Sequence, residues 1–491
     1  MSPDLLLSVE QMYKADKLTI SAGMPGIELM MNAGRAVAHE IMKRWQPRET
    51  IILCGPGNNG GDGFVVASAL SDAGWPVRVN LLGNINELTG DAALAAAQWN
   101  GRCGALSDAS LDDNPLVVDA LFGAGLSRKL GGDVLRLVQI INENNLDCVA
   151  VDIPSGVQGD GGEILNDAPR CRLTVTFFKA KPAHFLLPAC EYMGDLVIAD
   201  IGINDSVLDD IQPILCVNKP ELWFDHFPAP KINSHKFSRG HLLIAGGNEM
   251  TGAALLVARA ARRIGAGLVT IATPSNAWFV YASDQPGNLI KKVDTQAEFT
   301  ELLAHPRINA LVIGPGFGLG PEARQRVLIA LQSKKPIVLD ADGISTFADD
   351  PGELIDQLHE FCVITPHEGE FARIFNLSGD KVSRARQAAK MTNACVLLKG
   401  PDTVIAEPSG RAIINRSGTP YLATAGSGDV LSGLIGGLIV QEMDCFDAAC
   451  AAAWMHGAAA ERFGPGLIAE DIPELIPDLT GTIIKMSSNS P

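Results

Sequence analysis

Short, unbroken apolar runs that end in a glycine or a carboxylate recur throughout this chain, and they constrain its fold more than any other feature. Ile51-Ile52-Leu53-Cys54 runs into Gly55-Pro56-Gly57-Asn58-Asn59-Gly60-Gly61-Asp62-Gly63. Leu116-Val117-Val118 ends at Asp119, and Cys148-Val149-Ala150-Val151 ends at Asp152. Such runs do not alternate polar with apolar, so they fit strands buried on both faces, as in a parallel sheet covered by helices. The same grammar returns later, where Leu311-Val312-Ile313 meets Gly314, Ile337-Val338-Leu339 meets Asp340, and Val396-Leu397-Leu398 meets Lys399. Helix-like stretches follow several of these loops, so the expected class is α/β, with polar groups gathered at the carboxyl ends of the strands.

At 491 residues the chain exceeds one ordinary core. The regular pattern lapses from Asn204 to about Ser238, where Pro213, Pro220, Pro228 and Pro230 interrupt it. This places a boundary near residue 218, with Trp223 and Phe224 covering the junction. Two domains, 1–217 and 218–491, are expected, each a three-layer αβα sandwich. A formal charge of -17 disfavours nucleic acid and anionic membrane as partners. The ten cysteines show no metal-ligand spacing and read as core residues of a reducing compartment. Met1-Ser2-Pro3-Asp4 opens no signal peptide, and the apolar run near Leu431 to Val440 is too short and glycine-rich to span a bilayer. A cytoplasmic protein is expected.

In the first half, residues 8–45 read as helical, interrupted at Gly23-Met24-Pro25-Gly26, with a further helix from Phe64 to Ala73. Gly55, Gly57 and Gly60 satisfy Gly-x-Gly-x-x-Gly, but the strand Val77 to Leu82 offers no acid for an adenine ribose, so a dinucleotide fingerprint is disfavoured. Three successive strand ends instead supply Asn58-Asn59 with Asp62, then Asp119, then Asp152 with Ser155, which together mark a polar pocket. Glu28 and Asn32, one turn apart, fit either that pocket or a solvated face.

In the second half, Ala423-Thr424-Ala425-Gly426-Ser427-Gly428-Asp429 precedes an apolar helix. Small residues let backbone approach phosphate, and the free amides of a first helical turn attract anions. Asp429 fits a base that takes a proton from a hydroxyl beside that phosphate, and equally a plain helix cap. Lys399, at the end of an apolar strand, wants an anionic partner.

The motifs Glu28 to Gly34, Asn58 to Gly63, Asp119 to Leu126, Asp152 to Gly156, Thr176 to Pro182 and Gly194 to Gly202 resemble the NAD(P)H-hydrate epimerase family. That resemblance implies a Rossmann-like domain exchanging the R and S forms of hydrated NADH and NADPH. It implies a potassium ion on Asn59, Asp119 and Ser155. Substrate would lie on Asn58, Asn59, Gly60, Gly61 and Asp62 and on Gly123, Ala124, Gly125, Leu126, Ser127, Arg128 and Lys129, with Asp152 as the acid-base residue. Residues from about 225 onward are similar to the ADP- or ATP-dependent NAD(P)H-hydrate dehydratases of ribokinase-like fold. The likeness rests on Thr251 to Ala254, Gly314 to Gly318, Asp340 to Asp342, Thr365 to Glu370, Leu397 to Gly400 and Ala425 to Leu431. It implies that Ala253, Gly316, His367 and Asp429 contact the hydrate, and that Lys399, Gly400, Pro401, Asp402, Thr403 and Gly428 contact ADP. Phosphorylation of the ring hydroxyl followed by loss of phosphate would restore the dihydronicotinamide, with Asp429 as base and magnesium on the donor's phosphates.

The fused halves resemble bifunctional nicotinamide nucleotide repair enzymes, for which ADP is the expected donor. Two departures stand out, Pro286-Gly287 in place of Pro-Glu and Ala459-Ala460 in place of Gly-Asp. A ribokinase-like small-molecule kinase carrying a non-catalytic N-terminal binding module is the alternative. The Ala-rich stretch Asp447 to Ala460 suggests packing between subunits of a homo-oligomer.

Overall fold

The computed structural model describes residues 5–488. Met1-Ser2-Pro3-Asp4, read above as opening no signal peptide, lie outside the described residues. The chain divides into two compact units, Met1–Leu215 and Cys216–Pro491.

The first unit carries seven parallel strands: β1 (Thr50–Cys54), β2 (Val77–Leu81), β3 (Cys103–Ala105), β4 (Leu116–Ala120), β5 (Cys148–Val151), β6 (Leu173–Phe177) and β7 (Asp195–Ala199). Their order is β3-β2-β1-β4-β5-β6-β7, so the winding reverses between β1 and β4. The unalternating strands account for the layers. In β1, Ile52 and Cys54 join a core with the helices Gly26–Arg44 and Asn58–Asp72, whereas Ile51 and Leu53 face the helix Gly132–Glu143 on the opposite side. Both faces are therefore dry, as parallel sheets require.

One helix begins earlier than the glycine content suggests. The segment Asn58–Gly63 is not a loop but the first turns of the helix Asn58–Asp72. Glycine normally weakens a helix, but here bulk cannot be tolerated: a Cβ on Gly60 would lie 1.8 Å from the Gly55 carbonyl oxygen. Asn32 donates to the Ile201 carbonyl at 2.9 Å, and Glu28 faces solvent.

The second unit holds ten strands: β8 (Leu215–Val217), β9 (His241–Ala245), β10 (Leu268–Thr273), β11 (Leu289–Lys292), β12 (Ala310–Ile313), β13 (Ile337–Leu339), β14 (Cys362–Ile364), β15 (Cys395–Leu398), β16 (Val404–Ala406) and β17 (Ala412–Ile414). The order is β11-β10-β9-β12-β13-β14-β15-β16-β17-β8. Strands from β11 to β15 run parallel, and β16 and β17 add an antiparallel margin. The helices Thr251–Ile264, Ser427–Ile439 and Cys445–Phe463 share one core over this sheet. Gly433 lets two of them touch, since a Cβ there would sit 2.4 Å from the Val257 carbonyl oxygen.

Three expectations change. Residues 204–238 are not wholly irregular, because they include the helix Val207–Ile211 and β8. Trp223, expected to cover the junction, is buried in the second unit's core and donates from Nε1 to Asn218 Oδ1 at 3.0 Å. The Ala-rich helix is likewise spent internally, with Ala448, Ala449, Ala451, Ala452, Ala459 and Ala460 all buried in that core. Among the described residues, no helix is long and apolar enough to cross a membrane.

Candidate active sites

In the first unit a cavity of about 500 Å³ opens at the carboxyl ends of β1 and β4, at the reversal of winding where open α/β sheets keep their ligands. Asn58, Asn59 and Asp62 line it from one helix, and Gly123, Ala124, Gly125, Leu126 and Arg128 line it from the loop after β4. Asp152 and Lys181 face it too, together with Tyr13 and Asp16 from the helix Val9–Ser21. Gly60 and Gly61 do not line it. They serve close packing, Gly61 lying against Met30 and Ala92. Ser127 and Lys129 are exposed outside the lining.

Asp152 stands in left-handed backbone, at φ 68°, a strained conformation for an aspartate and one common where a site fixes a side chain. Its Oδ1 accepts from Thr176 Oγ1 at 2.9 Å and from the Lys181 ammonium. Burial pushes the Asp152 carboxyl up, but Lys181 and the hydroxyl of Thr176 more than offset it and hold the group below the ordinary carboxylate range. Lys181, 3% exposed, is fixed in turn, because its backbone N–H donates to His184 Nδ1 at 2.9 Å while His184 Nε2 lies 2.9 Å from the Asp152 carbonyl. Burial draws the His184 imidazole down to about 4, so it is neutral.

Asp119 lies under the cavity rather than in its lining. It is 1% exposed and accepts from the Ser155 amide and hydroxyl, each at 2.7 Å. Burial raises its carboxyl despite these bonds. Asn59 has a buried Nδ2 without a hydrogen-bond partner. Its Oδ1 lies 3.4 Å, and Asp152 Oδ2 3.5 Å, from where a Cβ on Gly123 would stand.

In the second unit the matching reversal lies between β9 and β12. The backbones meet there, since a Cβ on Gly247 would come within 2.0 Å of the Gly316 carbonyl oxygen. Gly316 has φ 58°, and a side chain there would press on Met250 and Ala253, so Gly316 and Ala253 sit together. Asp340, 1% exposed, accepts from Lys399 Nζ at 2.7 Å and from Ser432 Oγ at 2.6 Å. Gly426 precedes the helix Ser427–Ile439 with φ 87°, and no side chain caps its amides. Asp429 is in that first turn and does not act as the cap. Burial and the charge of Asp340, countered in part by Lys399, push its carboxyl up to about 6. Gly428 adjoins this group, its hypothetical Cβ lying 3.6 Å from Lys399 Nζ.

His367 caps the helix Glu368–Ile374, Nδ1 accepting from the amides of Gly369 at 2.9 Å and Glu370 at 3.2 Å, and its Nε2 lies 3.5 Å from Glu370 Oε1. The turn after Lys399 is closed on itself by Thr403 Oγ1 donating to the Gly400 carbonyl at 2.7 Å. The Asp402 carboxylate is buried against Lys381 Nζ at 2.6 Å, and Pro401 is exposed.

Family models agree with this division. One described as "YjeF-related protein N-terminus" matches residues 26–183, and one described as "NAD(P)H-hydrate dehydratase" matches residues 241–476. A bifunctional NAD(P)H-hydrate repair enzyme of Coxiella burnetii is 33% identical over 487 residues, spanning 95% of this chain and 98% of that one. The chain belongs to the bifunctional NAD(P)H-hydrate repair enzyme family. A second member of the family, from Salinibacter ruber, is 35% identical over 96% of this chain and 95% of its own. A ribokinase-like superfamily protein of Enterococcus faecalis has the fold of the second unit, with a TM-score of 0.50 at 21% identity over 55% of this chain and 96% of that one.

Several site groups of this repair-family chain escaped the sequence reading as candidates. Lys181 and Thr176 lie within the motif Thr176 to Pro182, which marked the family without declaring a role. Tyr13 and Asp16 precede the first strand and carry no loop signature. Asp340 was one of several strand-end acids, and its bonds to Lys399 and Ser432 distinguish it.

Proposed function

We propose that this chain repairs hydrated NADH and NADPH in two steps, the first unit exchanging the R and S forms and the second dehydrating the S form with ADP as phosphoryl donor. Family membership along the whole chain supports the pairing of activities. The observation that carries the reading is that each unit sets a half-buried carboxylate and a lysine at the carboxyl edge of its parallel sheet, Asp152 with Lys181 and Asp429 near Lys399.

In the first unit, the cavity lined by Asn58, Asn59, Asp62 and the loop Gly123 to Arg128 would take the dinucleotide. Lys181 holds Asp152 ionised, ready to accept a proton beside the hydrated ring. Asn59, Asp119 and Ser155 would hold potassium. Their oxygens suit a hard monovalent cation, and the feature that speaks for it is a buried Asp119 that meets no ammonium or guanidinium among the described residues. Bound there, potassium would supply positive charge that offsets the Asp119 carboxylate.

In the second unit, Asp429 would take the proton from the ring hydroxyl while the uncapped amides of Ser427 and Gly428 and the Lys399 ammonium stabilise the transferred phosphoryl. Ala253, Gly316 and His367 would border the hydrate. Gly400 and Thr403 would offer backbone and hydroxyl to ADP, with Asp402 acting through Lys381. No group of three or more His, Cys, Asp or Glu that could hold a metal occurs among the described residues. Magnesium would therefore ride mainly on the donor's phosphates, as it commonly does.

The test mixes purified protein with each hydrate epimer and either ADP or ATP, following recovery of reduced-nicotinamide absorbance. Recovery from both epimers is expected. Recovery from one epimer alone would remove the exchange activity, and no recovery with either nucleotide would favour a kinase.

A further inference from the structure

Exchange of configuration at a hydroxyl-bearing carbon needs a proton donor as well as an acceptor. In the first unit Asp152 is bound to the Lys181 ammonium and the Thr176 hydroxyl, so it has no proton to give. Three further carboxylates, Asp16, Asp62 and Asp91, face the same 500 Å³ cavity. Asp16 lies on the helix Val9–Ser21, one turn beyond Tyr13, and that helix is held against the site. Its start is fixed by the reciprocal Ser8 and Gln11 cap and by Val9 N–H donating to Asp160 Oδ1 at 2.8 Å, and Met12, Ala15 and Thr19 are buried along it. No hydrogen bond engages the Asp16 carboxylate among the described residues. The charged and titratable groups lining the cavity with it are Tyr13, Asp62, Asp91, Arg128, Asp152 and Lys181.

We propose that Asp16 is the proton donor of epimer exchange, working against Asp152 as the acceptor. This rests on the epimerase reading of the first unit. Burial pushes the Asp16 carboxyl up to about 6, Asp152 adds to that push, and Lys181 opposes it. Asp16 and Asp152 are thus driven apart, which is how environments divide acid from base. In the step, Asp16 gives its proton to the C6 hydroxyl, the C6–O bond breaks and water leaves. The ring nitrogen's lone pair closes the C6–N double bond. Water then adds to the opposite face, returning the electron pair to nitrogen, and Asp152 takes the proton that water releases. Proton return from Asp152 to Asp16 through solvent closes the cycle, with nothing oxidised or reduced.

The experiment follows both epimers by chromatography in the full chain, giving kcat and KM across about pH 5 to 8, in wild type, Asp16→Asn and Asp16→Glu. Wild-type kcat should fall as pH rises through about 6, where Asp16 loses its proton. Asp16→Asn should remove that falling limb and lower kcat about 10²-fold or more, with KM within about threefold. Asp16→Glu should restore most of the rate and the limb with it. The proposal is overturned if wild type shows no falling limb, if Asp16→Asn keeps it, if the loss lies in KM, or if Asp16→Glu is as inactive as Asp16→Asn. A wild type that exchanges no epimers removes the epimerase reading itself, whereas an active wild type matched by Asp16→Asn removes only the donor.

Discussion

Each half of the chain places a carboxylate and a lysine at the carboxyl edge of a parallel sheet, yet the two lysines are used differently. In the first unit Lys181 bonds Asp152 itself, and the carboxyl lies below its ordinary range. In the second, Lys399 bonds Asp340 at 2.7 Å, and the neighbouring Asp429 is left to burial and to the charge of Asp340, which lift it to about 6. A lysine near a carboxylate therefore does not fix that group's protonation; the partner it actually bonds does. Asp152 is ready as an ionised acceptor, whereas Asp429 ionises only near neutrality, next to amides that welcome phosphate.

The largest expected effect comes from Asp429→Asn. It removes the base of phosphoryl transfer, so dehydration should drop about 10²- to 10⁴-fold while epimer exchange is unchanged. Absorbance recovery from the S form checks the first statement and chromatography of the epimers the second. Dehydration that survived would take Asp429 out of the chemistry. Next is Lys181→Met, which should make Asp152 resemble Asp429. Without the ammonium, burial pushes its carboxyl up, so exchange should fall about 10²-fold near neutral pH and the low-pH limb of its profile should move to higher pH. An unaltered pH profile would break the contrast between the two halves.

Asp340→Asn sharpens the same contrast from the other side. It deletes the like charge that raises Asp429 and frees Lys399 to turn toward it. Dehydration needs Asp429 ionised, so wild-type activity should fall as pH drops below about 6, and in Asp340→Asn that fall should move to lower pH. A rate profile of the S form against pH decides it, and an unmoved limb would assign the shift in Asp429 to burial alone.

Much of this was legible in the sequence because a parallel sheet converts position into function. Asp119, Asp152, Asp340 and Lys399 each follow an unalternating apolar strand, and the fold gathers such ends on one edge. Asp16 and Tyr13 were not legible, since they come from a helix before β1 whose docking depends on Asp160 and the loop around Gly125. Nor could spacing show that Asp402, in a turn, is taken by Lys381, a residue about twenty positions upstream on a helix. The helix beginning at Asn58 was hidden by its glycines, whose propensity argues for a loop until the closeness of Gly60 to Gly55 is known.

The smallest effect concerns stability, and it again separates the halves. Because the folded chain holds a proton on Asp429 up to about 6, against 3.8 for an ordinary aspartate, ionisation between those values destabilises the second unit as pH rises. Asparagine at 429 cannot ionise, so Asp429→Asn should melt higher than wild type at pH well above 6, by about 1–2 kcal/mol after solvent screening, and should lose that advantage near pH 4. Thermal melts of both proteins at the two pH values check it. The sign reverses for Asp152, whose depressed carboxyl stabilises the folded state above its ordinary range, so Asp152→Asn should melt lower than wild type at the same high pH. If both substitutions shifted the melts in one direction, the lysines would not be distinguishing the two carboxylates, and the difference in their bonding would have no energetic consequence.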